Sequence, residues 1–285
     1  MDKQVNDLLP SEVVATVSHE LRSPLASIKG YAATLLRHER RISREERNEF
    51  LVAISAASDR LERIIDRLLE MSQFEAGTMS IERSPVDVVR LVHEAIAAAE
   101  QQTSTRLPGH FTFHLRLKDA AGVPAQEELL VIADPRRLRE VLDNLLENAI
   151  NYSPEGGVID VLVYPVQALL PEGQASNRER KAEALPESDN ASVEGTDVQP
   201  AGPKLRQMVE ICVCDLGLGI PFDHLDRIFD RFHRVDTRLT REVNGLGLGL
   251  TICKHIVELH EGLIWAESCP AGGSAFHVRL PVDGA

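Results

Sequence analysis

The chain has 285 residues, with 31 Lys+Arg against 44 Asp+Glu and a formal net charge of −13. Its apolar fraction of 43% suffices for a sizeable core, and its length allows one large domain or two medium ones. The acidic balance, without a Lys/Arg cluster, argues against nucleic acid or an anionic membrane as partner, and no apolar run is long enough for a membrane segment or a signal-peptide core.

From about Ser11 to about Arg40, Val14, Val17, Leu21, Leu25, Ile28, Leu35 and Leu36 recur at helical spacing and predict a first helix. Pro24 lies inside it and predicts a kink or a loosened turn. Ser43, three residues before Glu46, reads as a capping box that opens a second helix. Ile54, Leu61, Ile64, Ile65, Leu68 and Met71 form its stripe, and Gly77 suits its end. A hairpin of two such helices cannot cover both stripes by itself. Pairing with a second copy, as a dimeric four-helix bundle, is the expected solution; packing on the rest of its own chain is the alternative.

Residues 78–285 read as a separate α/β domain, so the expected fold class is α+β, with the hairpin domain over residues 1–77. Ser80–Arg83, His110–Leu117, Leu129–Ala133 and Val158–Val163 are strand candidates, and 86–101 and 135–151 are helices. Residues 165–207 hold five of the fifteen prolines and no hydrophobic pattern, which predicts a disordered insertion. Met208–Asp215 resumes as a strand, followed by a helix over 248–260 and strands over 263–267 and 275–280. Four cysteines are too few for a disulfide framework. Cys212 and Cys214 form a C-x-C that reads as buried strand thiols, since a zinc site would want a second such pair or a His pair nearby.

Chemistry concentrates in short segments. On the first helix, Ser18–Leu25 reads S-H-E-L-R-S-P-L. The stripe residues leave Glu20 toward solvent and His19 at the stripe's edge. A neutral imidazole is a nucleophile near pH 7, and an adjacent carboxylate can take the proton from one ring nitrogen as the other attacks. In the 135–151 helix, Asn144, Asn148 and Asn151 share one face, and their carbonyl oxygens suit a hard cation such as Mg²⁺. Asp215-Leu-Gly217-Leu-Gly219-Ile220-Pro follows an apolar strand, where an Asp can bind an exocyclic amine and Gly lets backbone approach a ligand. Asn244-Gly245-Leu246-Gly247-Leu248-Gly249-Leu250 opens a helix whose N–H groups suit phosphate. Neither a P-loop nor a dinucleotide-binding G-x-G-x-x-G occurs.

Taken in order, these segments resemble the core of a sensor histidine kinase of a two-component system. The hairpin is similar to the dimerisation and phosphoacceptor domain, with H-E-L-R-S-P-L as H-box. The remainder resembles the catalytic ATP-binding domain, an α/β sandwich of the Bergerat type shared with gyrase B, with an N-box at 143–154, a G1 box at 215–221, an F-box at 228–234 and a G2 box at 245–250.

The resemblance implies ATP and Mg²⁺ as cofactors, His19 as phosphoacceptor and Glu20 as its acid/base. It makes Asn148 the Mg²⁺ ligand with Asn144 beside it, Tyr152 a neighbour of the adenine, and Asp215 the reader of the adenine amine. Gly217 and Gly219 shape that wall, Ile220 completes the box, and Arg234 approaches the phosphates. Residues 234–247 resemble a mobile lid, with Gly245, Gly247 and Gly249 as hinge and phosphate-side backbone and Leu246 and Leu248 between them. Related ATPases carry a catalytic Glu where this chain has Asn144, so transfer to its own His is expected over plain hydrolysis. Three positions depart from the family pattern. Asn151 stands where a basic residue is usual, His233 where Tyr is common, and Ser23 where kinases with phosphatase activity carry Thr or Asn.

The implied partners are a second copy, the receiver domain of a response regulator, and an upstream sensor domain or protein outside this chain. The implied location is the cytoplasm, for this chain or as part of a longer sensor. Two rival readings are a nucleotide-binding pseudokinase dimer that acts by docking and a stand-alone Bergerat ATPase with a helical arm.

Overall fold

The computed structural model describes residues 11–38, 41–118, 128–169, 205–235, 246–269 and 272–282. The chain divides into two compact units, Met1–Ser80 with Pro221–His255, and Ile81–Ile220 with Ile256–Ala285.

In the first unit, α1 (Ser11–Arg37) and α2 (Arg44–Glu75) form the helical hairpin. Helix α1 runs on through Pro24, which has no N–H to donate to the Glu20 carbonyl. The capping box is present in both halves. Ser43 Oγ accepts from Glu46 N at 3.1 Å, and Glu46 Oε2 accepts from Ser43 N at 2.9 Å. Tyr31 stacks on Phe50 across the hairpin at 5.4 Å. Ile64 and Met71 are buried, while Leu25, Leu36, Leu51, Val52, Ile65 and Leu69 remain exposed on the single chain. Arg231 pairs with Glu75, and Phe74 stacks on His255.

The second unit is built on two sheets. A small one pairs β1 (Ser84–Asp87) antiparallel with β3 (Leu130–Ala133). The large one comprises β2 (Phe111–Leu117), β4 (Gly157–Leu169), β5 (Leu205–Cys214), β6 (Leu263–Ser268) and β7 (Ser274–Pro281), in the order β2-β4-β5-β7-β6. Among the described strands only the β2–β4 pair is parallel. Helices α3 (Val88–Arg106) and α4 (Pro135–Asn151) cover one face, α3 against β2 and α4 against β5. Leu138, Val141, Leu142, Leu145, Leu146 and Ala149 of α4 are buried with Ile159, Val161, Val163, Val209, Ile211 and Val213 of the sheet. This is the period-3.6 stripe meeting the period-2 stripe. A last helix, α5 (Gly249–Leu259), is divided between the units at His255/Ile256, and Ile252, Cys253, Ile256 and Val257 along it are buried.

Two expectations change. The strand expected at Ser80–Arg83 lies at Ser84–Asp87, because β3 offers its pairing edge there. Asp87 then ends the strand by capping α3, accepting from Val89 N at 3.0 Å and Arg90 N at 3.3 Å. The insertion expected from 165 begins later, since β4 and β5 stay paired out to Leu169↔Leu205. Pro165 is tolerated because the β2–β4 ladder ends at Val163, so its missing N–H costs no bond of that ladder. Residues 170–204 lie outside the described residues.

Candidate functional site

The second unit carries the first half of the predicted constellation. Asp134 caps α4 and fixes where the helix begins. Its Oδ1 accepts from Arg136 N at 3.0 Å and Arg137 N at 3.2 Å, and its Oδ2 from Glu82 N at 2.9 Å. Burial alone would raise this carboxyl; the three N–H donors, aided by His260, outweigh it and hold the group below its ordinary value. Asp134 N in turn donates to His260 Nε2 at 2.9 Å, while His260 Nδ1 donates to Ile256 O at 2.7 Å. Both ring nitrogens are thus committed in the neutral tautomer, and burial pushes the His260 imidazole down.

So anchored, α4 presents the three asparagines. Asn144 donates Nδ2–H to Glu140 O at 3.0 Å, Asn148 is half-buried, and Asn151 is exposed. At the helix end, half-buried Tyr152 gives its carbonyl to Leu218 N at 2.9 Å, which joins the Asn-bearing helix to the Gly217–Gly219 turn. That turn admits nothing larger than Gly at 217, where a Cβ would stand 2.1 Å from the Tyr152 carbonyl oxygen. Gly219 has φ +70°, and Ile220 beside it is half-buried.

Asp215 sits at the end of β5 and is 3% exposed. Its Oδ1 accepts from Gly217 N at 2.8 Å and Ser274 N at 3.2 Å, and its Oδ2 from Ser274 Oγ at 2.5 Å. The carboxylate is therefore held rigidly, with unused acceptor capacity on Oδ2. Beside Gly217, where an added Cβ would lie 2.7 Å from it, Ser153 Oγ is buried without a hydrogen-bond partner among the described residues. An orphaned hydroxyl, a buried carboxylate and a Gly-lined wall suit a ligand with an amine and ring nitrogens, as adenine has. The Asn carbonyl oxygens are the hard donors that Mg²⁺ takes.

The first unit carries the other half. His19 stands on α1 with its side chain 80% exposed, and its Nδ1 lies 4.0 Å from Glu20 Oε1. Glu20 does not face solvent, as its place beside the stripe suggested. Its side chain is 8% exposed, and Oε2 accepts from Arg60 Nη2 of α2 at 2.9 Å. The guanidinium across the hairpin draws the carboxylate inward. Ser23, one turn beyond His19, is exposed.

Further along this unit, the His233 and His224 rings meet at 2.9 Å, one donating and one accepting. Burial first, then Arg227 and His224, hold His233 below its ordinary value. Phe232 N donates to Gly247 O at 3.1 Å, and Gly247, at φ +68°, has no room for a Cβ against the His233 carbonyl. Leu246 and Leu248 are buried, Gly249 starts α5, and Arg234 is half-buried. Gly245 lies outside the described residues.

Sequence reasoning missed Arg60, Ser153, Ser274 and His224. Of these, only Ser153, inside the 143–154 segment, had a local signal. The other three reach their partners from 9 to 59 residues away.

Residues 133–284 match the model of the histidine kinase-, DNA gyrase B-, and HSP90-like ATPase family, and the chain belongs to that family. Residues 11–77 match the model of the His Kinase A (phospho-acceptor) domain. Among curated relatives, it is 32% identical over 275 residues to the sensor protein KdpD of Clostridium acetobutylicum, covering 96% of this chain and 25% of that protein. It is 30% identical over 270 residues to the sensor histidine kinase WalK of Bacillus subtilis, covering 95% and 36%. The chain therefore spans about a quarter to a third of these relatives' length.

Among solved structures, the histidine kinase ThkA in complex with the response regulator TrrA shares the fold at TM-score 0.59 and 22% identity, over 96% of this chain and 62% of that one. ShkA in complex with AMPPNP does so at 0.56 and 20%, over 97% and 46%. No helix among the described residues is long and apolar enough to cross a membrane.

Proposed function

We propose that the chain is the kinase core of a two-component sensor, which phosphorylates its own His19 from ATP and passes the phosphoryl group to an Asp of a response regulator. The observation that carries this is the exposed His19 ring, with Nδ1 toward the buried Glu20 carboxylate and Nε2 left to react. Nε2 attacks the γ-phosphorus, the bond to the β-phosphate oxygen breaks, and ADP leaves. Glu20 takes the Nδ1 proton as charge builds on the ring. Arg60 orients Glu20 for this task. In-line positioning of the phosphoryl group does most of the catalytic work.

In this reading Tyr152, Asp215, Gly217, Gly219 and Ile220 of one unit would serve the adenine, and His233, Arg234, Leu246, Gly247, Leu248 and Gly249 of the other the phosphates. Asn148, with Asn144 beside it, would hold Mg²⁺, which offsets the phosphate charge. Asn144 lacks the carboxylate needed to activate water, which favours transfer over hydrolysis. In this reading residues 1–77 are the dimerising domain and 78–285 the catalytic domain, working in the cytoplasm on signals from a sensor outside this chain. The exposed Leu25, Ile65 and Leu69 are apolar surface that a second copy would cover. Ser23, one turn from His19, carries a hydroxyl that could orient a hydrolytic water, as a phosphatase activity toward the regulator would need, although it stands where such kinases carry Thr or Asn.

The test is incubation with γ-labelled ATP and Mg²⁺ beside His19→Ala. An acid-labile, alkali-stable label, lost in the variant, is expected. Nucleotide binding without label would refute the reading and favour a docking module.

A further inference from the structure

His224 closes the one-turn 3₁₀ helix Phe222–His224, and His233 follows nine residues later. His224 Nδ1 and His233 Nε2 lie 2.9 Å apart, with the ring planes at 37°. The backbone holds both residues in place. Arg227 N and Ile228 N donate to His224 O at 2.9 and 3.0 Å, and His233 N donates to Asp230 O at 3.2 Å. Gly247 lies directly against this segment. A Cβ there would stand 2.7 Å from His233 O, and Gly247 O accepts from Phe232 N at 3.1 Å. The imidazole pair thus adjoins the glycine segment within a single unit.

Two ring nitrogens at 2.9 Å need one N–H and one lone pair between them. Two neutral imidazoles carry two N–H groups over four nitrogens. His224 Nε2 lies 3.9 Å from Asp223 Oδ2, and the carboxylate favours a proton on that nitrogen. His224 Nδ1 is then the acceptor and His233 Nε2–H the donor. His233 Nδ1 carries a lone pair and has no partner among the described residues. One added proton turns that nitrogen into an N–H and leaves the shared bond intact. A further proton would set N–H against N–H and break it. The pair is therefore built to hold one positive charge, with a donor at its His233 end.

The charged groups that the described residues bring to the pair are Asp223, Arg227 and Asp230, the last two 3.8 Å apart. Gly247 and its neighbours Leu246 and Leu248 bring none. Burial, Arg227 and His224 together outweigh Asp230 and resist protonation of His233 until an anion arrives. Such a charge has a use here, since Asn151 stands where related kinases carry a basic residue.

We propose that His224 and His233 form a proton-loaded subsite for the terminal phosphates of the nucleotide, taking up one proton from solvent as the triphosphate binds. His233 Nδ1–H donates to the phosphate, and His224 is the positioning residue that keeps the shared bond and turns its own Nε2–H toward Asp223. This rests on the reading of the chain as an ATP-dependent kinase core. Affinity for the triphosphate should then rise as pH falls, by no more than about tenfold per pH unit, the limit for one proton.

The test is calorimetric titration of the intact chain with Mg²⁺ and AMPPNP, which cannot pass its phosphate to His19. It is run at about pH 7.5, above the phosphate's own ionisation near 6, in two buffers of different ionisation enthalpy. The unsubstituted chain should take up a fraction of a proton, at most one, per nucleotide bound. His233→Tyr, which keeps a hydrogen-bonding ring, should abolish the uptake and flatten the pH dependence. His224→Asn should lower the uptake by at least about half, and His93→Asn, exposed on α3, should leave it unchanged. Binding without uptake in the unsubstituted chain overturns the proposal alone, whether or not the variants fold. Uptake that survives His233→Tyr overturns it as well. A chain that binds no nucleotide at any pH overturns the kinase-core reading together with the proposal.

Discussion

The pairing of Arg60 with Glu20 carries a prediction in both stability and rate. Glu20 is 8% exposed, Arg60 is 30% exposed, and their atoms meet at 2.9 Å. Arg60→Met keeps the aliphatic stem and removes the charge, stranding a carboxylate inside the hairpin. Breaking a fully buried pair costs about 3–5 kcal/mol; with Arg60 close to one-third exposed, about 2 kcal/mol is the expected loss. Glu20→Gln leaves the guanidinium a neutral acceptor and should cost less. The double variant should be more stable than the sum of the single losses implies, by about 1–2 kcal/mol of coupling.

The assay is urea unfolding of the four proteins at one fixed protomer concentration, because dimerisation would contribute to apparent stability. In autophosphorylation, Glu20→Gln should slow labelling of His19 by roughly 10²-fold or more with little change in ATP affinity. Arg60→Met should slow it less and in the same direction. Additive stabilities within about 0.5 kcal/mol, together with unchanged labelling in Arg60→Met, would refute the idea that Arg60 sets the position of Glu20.

His260 and Asp134 predict two acid-sensitive windows. Both groups sit below their ordinary values in the fold, so the unfolded chain binds the proton more readily. The His260 contribution is fully present above pH about 6.5 and is lost as pH falls toward the folded value; that of Asp134 is lost below pH about 3.8. Unfolding measured between pH 7 and 5 should show stability falling with pH, and His260→Gln should flatten that slope. Gly217→Ala, whose Cβ would lie 2.1 Å from the Tyr152 carbonyl, should displace the turn and abolish nucleotide binding by calorimetry while the far-UV circular dichroism persists. Ile65→Glu with Leu69→Glu, on the exposed face of α2, should turn a dimer into a monomer by light scattering; a monomeric unsubstituted chain would refute the dimer itself.

Much of this protein was legible in its residues alone. The Ser43–Glu46 capping box, the Pro135–Asn151 helix and the two hairpin stripes rest on contacts between residues three or four apart, which local spacing shows directly. Strand candidates were less secure. Ser80–Arg83 and Ser84–Asp87 are equally short, and only the edge of β3 chooses between them. Pro165 looked like the end of order, yet the hairpin of β4 and β5 continues past it, since β2 has already stopped.

The order of the H, N, G1, F and G2 segments determined the family, because the type and sequence of chemical groups are properties of the chain. What those groups touch was decided by the tertiary structure. Glu20 turned inward because Arg60, on the antiparallel helix, offers a charge that local pattern cannot reveal. Asp215 is rigid because strand register brings Ser274 to it from β7. The same register sets His277 of β7 beside Cys212. Spacing along a helix is fixed by its pitch, but partners across a fold are fixed by which strands and helices pair, and that choice is made by the core as a whole.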